Sequence, residues 1–261
     1  MNATLGYKTT EIKRIQHQKI SIEQDQVVEE YPIAFVYNGI SHAVMMATPK
    51  DIEVFAIGFS LSEGIVDHFN EIYAIDVLPT EYGISVEIEI SSRALHQLKE
   101  KRRVLVGRTG CGLCGIESLQ QLQLQSDRVI SHMVQPQWFE QIPTVISELK
   151  QQQYINQITG AAHAAAWVEN EKIQHVFEDV GRHNALDKLL GYVAQHGIDV
   201  SLGFVIMTSR ASYELVKKCA QLNIALLACI SAPTSLAIEL AQQSKLTLVG
   251  FCRNQNFVLY T

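Results

Sequence analysis

The sequence predicts an α/β protein: a layered sheet with helices on both faces, preceded by a smaller N-terminal α+β domain. Beyond residue 159, short apolar runs alternate with amphipathic helical segments, a pattern typical of a largely parallel sheet covered on both faces. Before residue 104, strand-like segments instead flank one amphipathic helix. We therefore predict an N-terminal domain over 1–103, a cysteine loop and connector over 104–134, and an α/β domain over 135–261.

The N-terminal domain is predicted to include a strand over 27–37, which is rich in β-branched and aromatic residues. Asn38-Gly39 is a strong hairpin signal, and 40–47 is the returning strand. Thr48-Pro49 has the residue types of a helix N-cap and first helical position. The other elements predicted here are a helix from Ile52 to Glu63-Gly64, strands over 72–78 and 84–90, and a polar helix over 91–103.

The second part alternates helices with buried strands, and the apolar spacing defines each of them. The elements predicted in chain order are a helix within 135–153, a short Ala-rich helix after His163, a strand over 172–177, a helix over 184–195, a strand over 204–208, a helix over 213–222, a strand over 224–230, a helix over 235–243 and a strand over 246–251.

Composition and charge exclude several classes of protein. Apolar residues make up 47% of the 261 residues, which predicts a substantial core and excludes disorder. The net charge of −6 argues against a general nucleic-acid binder. The first 20 residues lack a continuous apolar stretch, and the longest apolar run, 224–230, is too short to cross a bilayer. We therefore expect a cytoplasmic protein without membrane or nucleic-acid partners.

Two closely spaced thiols, Cys111 and Cys114, lie in the glycine-rich stretch 107–115. Five cysteines, an odd number with one close pair, do not fit a disulfide framework. Glycine at this density disfavours helix and strand, so we expect an accessible loop. Arg108 would favour the thiolate, which is the reactive form of cysteine.

Polar residues gather where predicted strands end, which is where ligands bind in open α/β sheets. The four polar segments are 178–184, 208–212, 231–235 and 251–256. Arg182, Arg210 and Arg253 recur in three of them, and an arginine beside a helix start is a ready anion site. A phosphorylated ligand is therefore predicted, although a helix cap with solvated charges explains the first segment equally well.

His163 stands among very small residues at the start of the predicted Ala-rich helix. A single histidine at a helix start is more often structural than functional. Small neighbours, however, let a ligand or another backbone segment approach closely. This setting favours a functional role for His163.

Five motifs, in order along the chain, resemble those of the FdhD family, the formate dehydrogenase accessory sulfurtransferases. They are GRTGCGLCG at 107–115, TGAAHAAAW at 159–167, FEDVGRHNALDKLLG at 177–191, TSRASYE at 208–214 and LTLVGFCR at 246–253. The resemblance runs from about Pro49 to the C-terminus and is far more specific than a single CxxC pair. Ala161 and Asn254-Gln255 depart from the pattern, since some relatives carry a cysteine and a Pro-Gly pair at those places.

The resemblance implies a sulfur carrier. Such a protein accepts sulfane sulfur from a cysteine desulfurase as a cysteine persulfide and transfers it to the molybdenum cofactor, bis-molybdopterin guanine dinucleotide, for formate dehydrogenase. Cys111 would carry the persulfide, with Cys114 as its companion. The resemblance also implies a cytidine deaminase-like fold with an added N-terminal domain, and a homodimer. No metal site is expected, and guanine nucleotides would serve as surrogates for the cofactor.

The cofactor-binding residues that follow from the resemblance and the strand ends fall into four groups. They are His163; Asp179, Arg182 and His183; Ser209 and Arg210; and Phe251, Cys252, Arg253, Asn254, Gln255 and Asn256.

Three other functions stay open at this point. A zinc site would need further ligands with paired spacing, and the chain has one CxxC. A thiol–disulfide oxidoreductase normally places its CxxC at a helix start, which Gly112 and Gly115 disfavour. A non-enzymatic chaperone would bind the cofactor without using the cysteines. Deaminase chemistry needs an H-x-E glutamate and a P-C-x-x-C segment, and His163 and Cys111 lack both contexts.

Overall fold

A computed structural model describes residues 5–106, 128–253 and 255–261 of the chain. The predicted cysteine loop, with Cys111 and Cys114, therefore lies outside the described residues. The described strands are β1 (Tyr7–Gln16), β2 (Lys19–Val28), β3 (Tyr31–Tyr37), β4 (Ile40–Ala47), β5 (Ile72–Thr80), β6 (Gly83–Ile90), β7 (His163–Glu169), β8 (Lys172–Asp179), β9 (Gly203–Met207), β10 (Leu226–Cys229), β11 (Thr247–Arg253) and β12 (Asn256–Leu259). The described α-helices are α1 (Ile52–Ser62), α2 (Ser92–Val106), α3 (Gln137–Gln152), α4 (Tyr154–Thr159), α5 (Arg182–Gln195), α6 (Tyr213–Gln221) and α7 (Ser235–Ser244).

The first large sheet has four strands in the order β4-β3-β6-β5, and its inner face packs on α1 and α2. Side chains alternate across a strand, so β3 buries Ile33, Phe35 and Tyr37 against the helices. The predicted Asn38-Gly39 turn between β3 and β4 is confirmed, with positive φ at both residues. This sheet and its helices form the α+β unit that the sequence predicts.

The single strand predicted over 27–37 is wrong, because the chain breaks at 29–30 into β2 and β3. β2 pairs with β1 in a separate two-stranded hairpin. The sequence analysis missed β1 because its side chains are largely polar and exposed, so no buried face produces an apolar alternation. We call this hairpin, 7–28, the N-terminal arm.

The second large sheet has six strands in the order β12-β11-β10-β9-β7-β8. The prediction of a largely parallel sheet is wrong outside β9, β10 and β11, which alone among the described strands of this sheet pair in parallel. β7 runs antiparallel to both β8 and β9, and β12 runs antiparallel to β11. The two-residue Asn170-Glu171 turn, with positive φ at both positions, is too short for a parallel crossover.

Helices cover both faces of this sheet, as predicted. α5, α6 and α7 contribute to the core on one face, and α3 contributes to the core on the other. The sequence of β9 is apolar throughout because both of its faces are buried. Val205 and Met207 point to one core, and Phe204 and Ile206 point to the other. The structure is a mixed α/β fold, while the cytidine deaminase-like layering and the domain boundaries stay predictions.

The Ala-rich helix predicted after His163 is wrong, because residues 163–169 form strand β7. Alanine favours helix in isolation, but β7 lies between β8 and β9 and is buried on both faces. Ala164 and Ala166 face the α3 core, and Ala165 and Trp167 face the opposite one. Tertiary pairing therefore overrides the local preference.

The predicted helix start at Thr48-Pro49 is also wrong. α1 begins at Ile52, and its N-cap is Asp51, whose φ of 56° is left-handed and whose side chain makes no capping hydrogen bond. Thr48 is instead fully buried and binds the second part of the chain: its backbone N–H donates to Asp179, and its Oγ1 accepts from the backbone N–H of Val180. Its polar groups therefore make hydrogen bonds within a buried turn and do not cap a helix.

α1 and α5 join the two large sheets through a close crossing with a glycine on each helix. A Cβ on Gly58 would overlap the carbonyl oxygen of Asp187, and a Cβ on Gly191 would overlap that of Val54. The two backbones therefore approach more closely than helices with side chains at the crossing can. α5 starts at the sheet edge described next, so this crossing fixes the edge relative to the N-terminal sheet.

Candidate functional site

One edge of the six-stranded sheet brings the four predicted polar segments together. β8 and the three parallel strands all end there, because β7 reverses direction between β8 and β9. Hydrogen bonds to backbone carbonyls connect the second segment to β7, the third segment to the second, and the fourth segment to the third. Thr208 N–H donates to Ala164, Ser231 N–H donates to Ser209, and Phe251 N–H donates to Ser231, at 3.0, 3.3 and 3.2 Å. His163, at the start of β7, is the register partner of Asp179 at the end of β8.

The edge is too long for all the predicted residues to surround one compact ligand. β8 and β11 are separated by four strand spacings, because β7, β9 and β10 lie between them. At about 4.8 Å for each spacing, the first and fourth polar segments are roughly 19 Å apart. A ligand that contacts both segments must be elongated.

Asp179 is fully buried and organises the first segment from within. Its Oδ2 accepts from Thr48 N–H at 3.0 Å and from Lys188 Nζ at 2.6 Å. Its Oδ1 accepts from Gly181 N–H at 2.8 Å and from Asn184 Nδ2 at 2.9 Å. Both oxygens are therefore occupied, and Asp179 positions the start of α5 rather than facing a ligand.

The start of α5 has the features of an anion site. Its N-cap is Gly181, which has no side chain to bind the first-turn N–H groups, and such groups have no partner within a helix. Arg182 occupies the first helical position, and its Nε is buried with no hydrogen-bond partner among the described residues. Buried polar atoms are normally satisfied, so this guanidinium N–H at a helix start is available to an anion.

His163, His183 and Glu214 surround this helix start. Burial lowers the pKa of the half-buried His163, and nearby Arg182 and His183 lower it further, which favours neutral imidazole. His183 Nε2 lies 2.8 Å from Glu214 Oε2 and 3.5 Å from Ser212 Oγ. The contact with His183 holds the pKa of Glu214 below its usual value, against the opposing effect of partial burial. Together with Arg182, these three residues form one cluster of charged or titratable groups.

Glu214 is the member of this cluster that the sequence analysis did not select. It lies in the first turn of α6, at the end of the 208–214 motif. The motif marks Glu214 as a candidate. Its contact with His183 could not be predicted, because the two residues are far apart in the sequence. Ser209 and Arg210, which were selected, lie beside the cluster: Ser209 is buried with its Oγ donating to the Arg210 carbonyl, and Arg210 is exposed.

The fourth segment borders a groove of about 700 Å³ beneath α3. Cys252, Arg253 and Gln255 line it on one side, and α3 residues from Pro143 to Lys150 line the other. Phe251 has a left-handed φ of 54°, and the Arg253 guanidinium lies 5.5 Å from its ring centroid. Asn256 begins β12, and Asn254 lies outside the described residues. The cation Arg253 therefore lies in the lining of the groove.

The three described cysteines are unsuited to carry reactive sulfur. Cys219, Cys229 and Cys252 are all buried and free. Burial raises the pKa of each thiol, in the case of Cys252 to about 12, so the thiolate is disfavoured. Of the five cysteines in the chain, this leaves Cys111 and Cys114 for thiolate chemistry.

The part of the chain that the structure describes lacks two kinds of feature. Within 5–106, 128–253 and 255–261, no group of three His, Cys, Asp or Glu residues is arranged to hold a metal ion. In the same part of the chain, no helix is both long and apolar enough to cross a membrane.

Known proteins match this chain over nearly its whole length. A family model described as the FdhD/NarQ family matches residues 28–261. The sulfur carrier protein FdhD of Acinetobacter baylyi is 59% identical over 256 residues, which cover 98% of this chain and 93% of the relative. The protein of the same name from Cupriavidus necator is 48% identical over 97% of this chain and 88% of its own. The crystal structure of a formate dehydrogenase accessory protein from Desulfotalea psychrophila has a TM-score of 0.76 at 23% identity, covering 98% and 96% of the two chains.

Proposed function

Because this chain belongs to the FdhD/NarQ family, we propose that it is a sulfur carrier that serves formate dehydrogenase. Relatives that match the chain almost from end to end are named sulfur carrier proteins, which supports this function. The chemistry of the cysteines also supports it. The described thiols are buried, which raises their pKa and disfavours the thiolate, so we assign carrier chemistry to the Cys111–Cys114 pair.

Sulfur would reach Cys111 by exchange with the persulfide of a cysteine desulfurase. The Cys111 thiolate attacks the outer sulfur of that persulfide, the desulfurase S–S bond breaks, and the desulfurase thiolate leaves. Cys111 then carries the sulfur as a persulfide, and no external oxidant or reductant is consumed. Arg108, three residues away in the sequence, favours the attacking thiolate.

Release to the acceptor would use Cys114. Its thiolate attacks the inner sulfur of the Cys111 persulfide, a Cys111–Cys114 disulfide forms, and the outer sulfur leaves as hydrosulfide. A dithiol reductant then restores both thiols. The two electrons that reduce the persulfide sulfur to hydrosulfide come from the two thiols and are replaced by the dithiol. Cys114 is therefore the resolving cysteine of the pair.

The substrate that we propose for this sulfur is the molybdenum cofactor in its bis-molybdopterin guanine dinucleotide form. The observation that carries the proposal is Arg182 Nε, buried without a partner at the start of α5, because phosphate oxygens would satisfy it. A cofactor with two dinucleotide arms is elongated enough to follow an edge of roughly 19 Å. The groove beside Arg253 and Phe251 would take a guanine base.

A cytoplasmic location and a homodimeric state complete the proposal. Two rivals remain: a chaperone that binds the cofactor without carrying sulfur, and a thiol–disulfide oxidoreductase. They differ from the proposal in whether Cys111 is needed and in whether sulfur moves at all.

The test is activation of formate dehydrogenase in cells that lack their own family member. Cys111→Ala should abolish activation, and the matched control Cys219→Ala, which removes a buried thiol of α6 outside the groove, should retain it. Full activation by Cys111→Ala would favour the chaperone. Loss of activation by Cys111→Ala, together with insulin reduction by the parent and no sulfur on the Cys111 peptide, would favour the oxidoreductase.

A further inference from the structure

The N-terminal arm projects from the molecule and is held at its root. Its two ten-residue strands give it a length of about 30 Å. At the root, Glu29 N–H donates to the Gly6 carbonyl at 2.9 Å, and the hydroxyl oxygens of Tyr7 and Tyr154 lie 3.1 Å apart. An isolated two-stranded hairpin is marginally stable in water, so the distal half of the arm would gain from a partner.

The tip of the arm has one apolar and one polar face. Ile15 pairs with Ile20, and Lys13 pairs with Ile22, which places these four side chains on the same face. Ile15, Ile20 and Ile22 are 70%, 68% and 66% exposed. Three large apolar side chains therefore face solvent together.

On the opposite face of the tip, polar side chains form hydrogen bonds with one another. Arg14 Nε donates to Glu23 Oε2 at 2.7 Å, and Ser21 Oγ donates to Glu23 Oε1 at 2.6 Å. The apolar face is thus the side of the tip whose large side chains stay in contact with water. Lys13 lies at the margin of this face.

The outer face of the four-stranded sheet presents a complementary pattern. Val44 and Met46 on β4 are 47% and 49% exposed, and they lie beside Ala34 and Pro32 of β3 in the sheet register. This apolar strip occupies one half of the face that does not pack on α1 and α2.

The other half of that face is acidic. Asp76 of β5 and Glu87 of β6 lie directly opposite each other, and Glu89 follows on the same face. Like charges directly opposite on neighbouring strands destabilise a sheet, so a cation placed between them would be favourable.

We propose that the arm tip of one copy of this chain docks on the outer sheet face of a second copy, with the second arm docking reciprocally. Ile15, Ile20 and Ile22 would cover the strip of Val44 and Met46, and Lys13 would approach Asp76 and Glu87. A second copy is the occupant that the structure favours, because each chain carries both complementary surfaces and leaves both exposed. Reciprocal docking closes a two-fold dimer and leaves no further tip unpaired.

The first experiment measures the dimer dissociation constant of the full chain by sedimentation equilibrium. Ile15→Glu and Val44→Glu should each raise it at least tenfold, because each places a carboxylate in the buried strip. Gln16→Glu is the matched control, since it adds the same charge at the next position on the opposite face of the tip. Unchanged melting temperatures would show that the variants fold, since the tip contributes to no described core.

Charge exchange separates docking from a structural effect. Lys13→Glu should weaken the dimer, and combining it with Glu87→Lys should restore affinity to within about threefold of the parent. A photo-crosslinker at position 20 should join β3 or β4 of another copy, which a mixture of isotope-labelled and unlabelled chains identifies by mass.

Several outcomes would overturn the proposal. These are a monomeric parent at all concentrations measured, a dimer that Ile15→Glu and Val44→Glu leave unchanged, and crosslinks to a different surface or only within one chain. None of these outcomes depends on whether the protein carries sulfur.

Discussion

Arg182 is the residue whose environment most directly indicates a ligand. It combines a buried, unsatisfied Nε with the first position of a 14-residue helix. Asp179 makes this arrangement possible, because it holds Gly181 and Asn184 while Lys188 neutralises it at 2.6 Å. A buried pair of this kind fixes the position of the helix start even where its net contribution to stability is small.

We predict that Arg182→Ala weakens binding of inorganic pyrophosphate by at least tenfold. A hydrogen bond between charged groups contributes about 1.5–3 kcal/mol, and about 1.4 kcal/mol corresponds to a factor of ten in affinity. Isothermal titration calorimetry measures the effect. Lys172→Ala is the control, since it removes the same charge from the opposite end of β8. Equal affinities of Arg182→Ala and the parent would show that the α5 start is not the phosphate site.

We also predict that anion binding raises the pKa of His163 and is accompanied by proton uptake. In the free protein the pKa of His163 lies below its ordinary value because of burial, Arg182 and His183, while Asp179 opposes the shift. A bound phosphate would compensate the cations and raise the pKa of His163, so affinity should increase as pH falls through the region between the two pKa values. NMR titration of the His163 ring with and without pyrophosphate measures the shift. A pKa that stays the same or falls on binding would contradict the assignment.

Residue-level chemistry was only partly predictable from the sequence. The selected residues His163, Arg182 and His183 do lie together. Arg182 and His183 were selected by the rule that ligands bind where strands end, whereas His163 was selected because its neighbours are small. The contact between His183 and Glu214, and that between Thr48 and Asp179, join residues far apart in the chain. No local pattern encodes such pairs.

At the scale of elements, apolar periodicity located most helices and buried strands of both sheets. It failed where burial and local preference disagree. β7 carries helix-favouring alanines in a central strand, and β1 is a strand with little buried surface. Strand direction was mispredicted where two-residue turns, rather than helices, connect neighbours, as between β7 and β8.

The crossing of α1 and α5 gives a prediction at this scale. Gly58→Ala should destabilise the protein by about 3 kcal/mol or more, because the new methyl group would overlap the Asp187 carbonyl and force the helices apart. Chemical denaturation measures the loss. Glu53→Ala, at an exposed position of α1, should change stability by less than about 0.5 kcal/mol. Similar stability of Gly58→Ala and the parent would mean that the helices do not cross this closely.

At the scale of the whole molecule, the thiols proposed for sulfur chemistry and the proposed substrate site belong to different parts of the chain. The sheet edge offers positive charge, an open groove and a helix start, but its cysteine, Cys252, is buried with its pKa raised to about 12. The thiols that we propose for sulfur transfer, Cys111 and Cys114, belong to a different segment of the chain. The protein therefore works as proposed only if that segment delivers sulfur to a ligand held at the edge.

The most direct measurement is mass spectrometry of the protein after incubation with a cysteine desulfurase and cysteine, followed by peptide mapping without reductant. We predict a gain of one sulfur atom on the peptide that contains Cys111, its loss in Cys111→Ala, and its retention in Cys252→Ala. Absence of added sulfur from the Cys111 peptide, or its appearance on Cys219, Cys229 or Cys252 instead, would contradict the central claim.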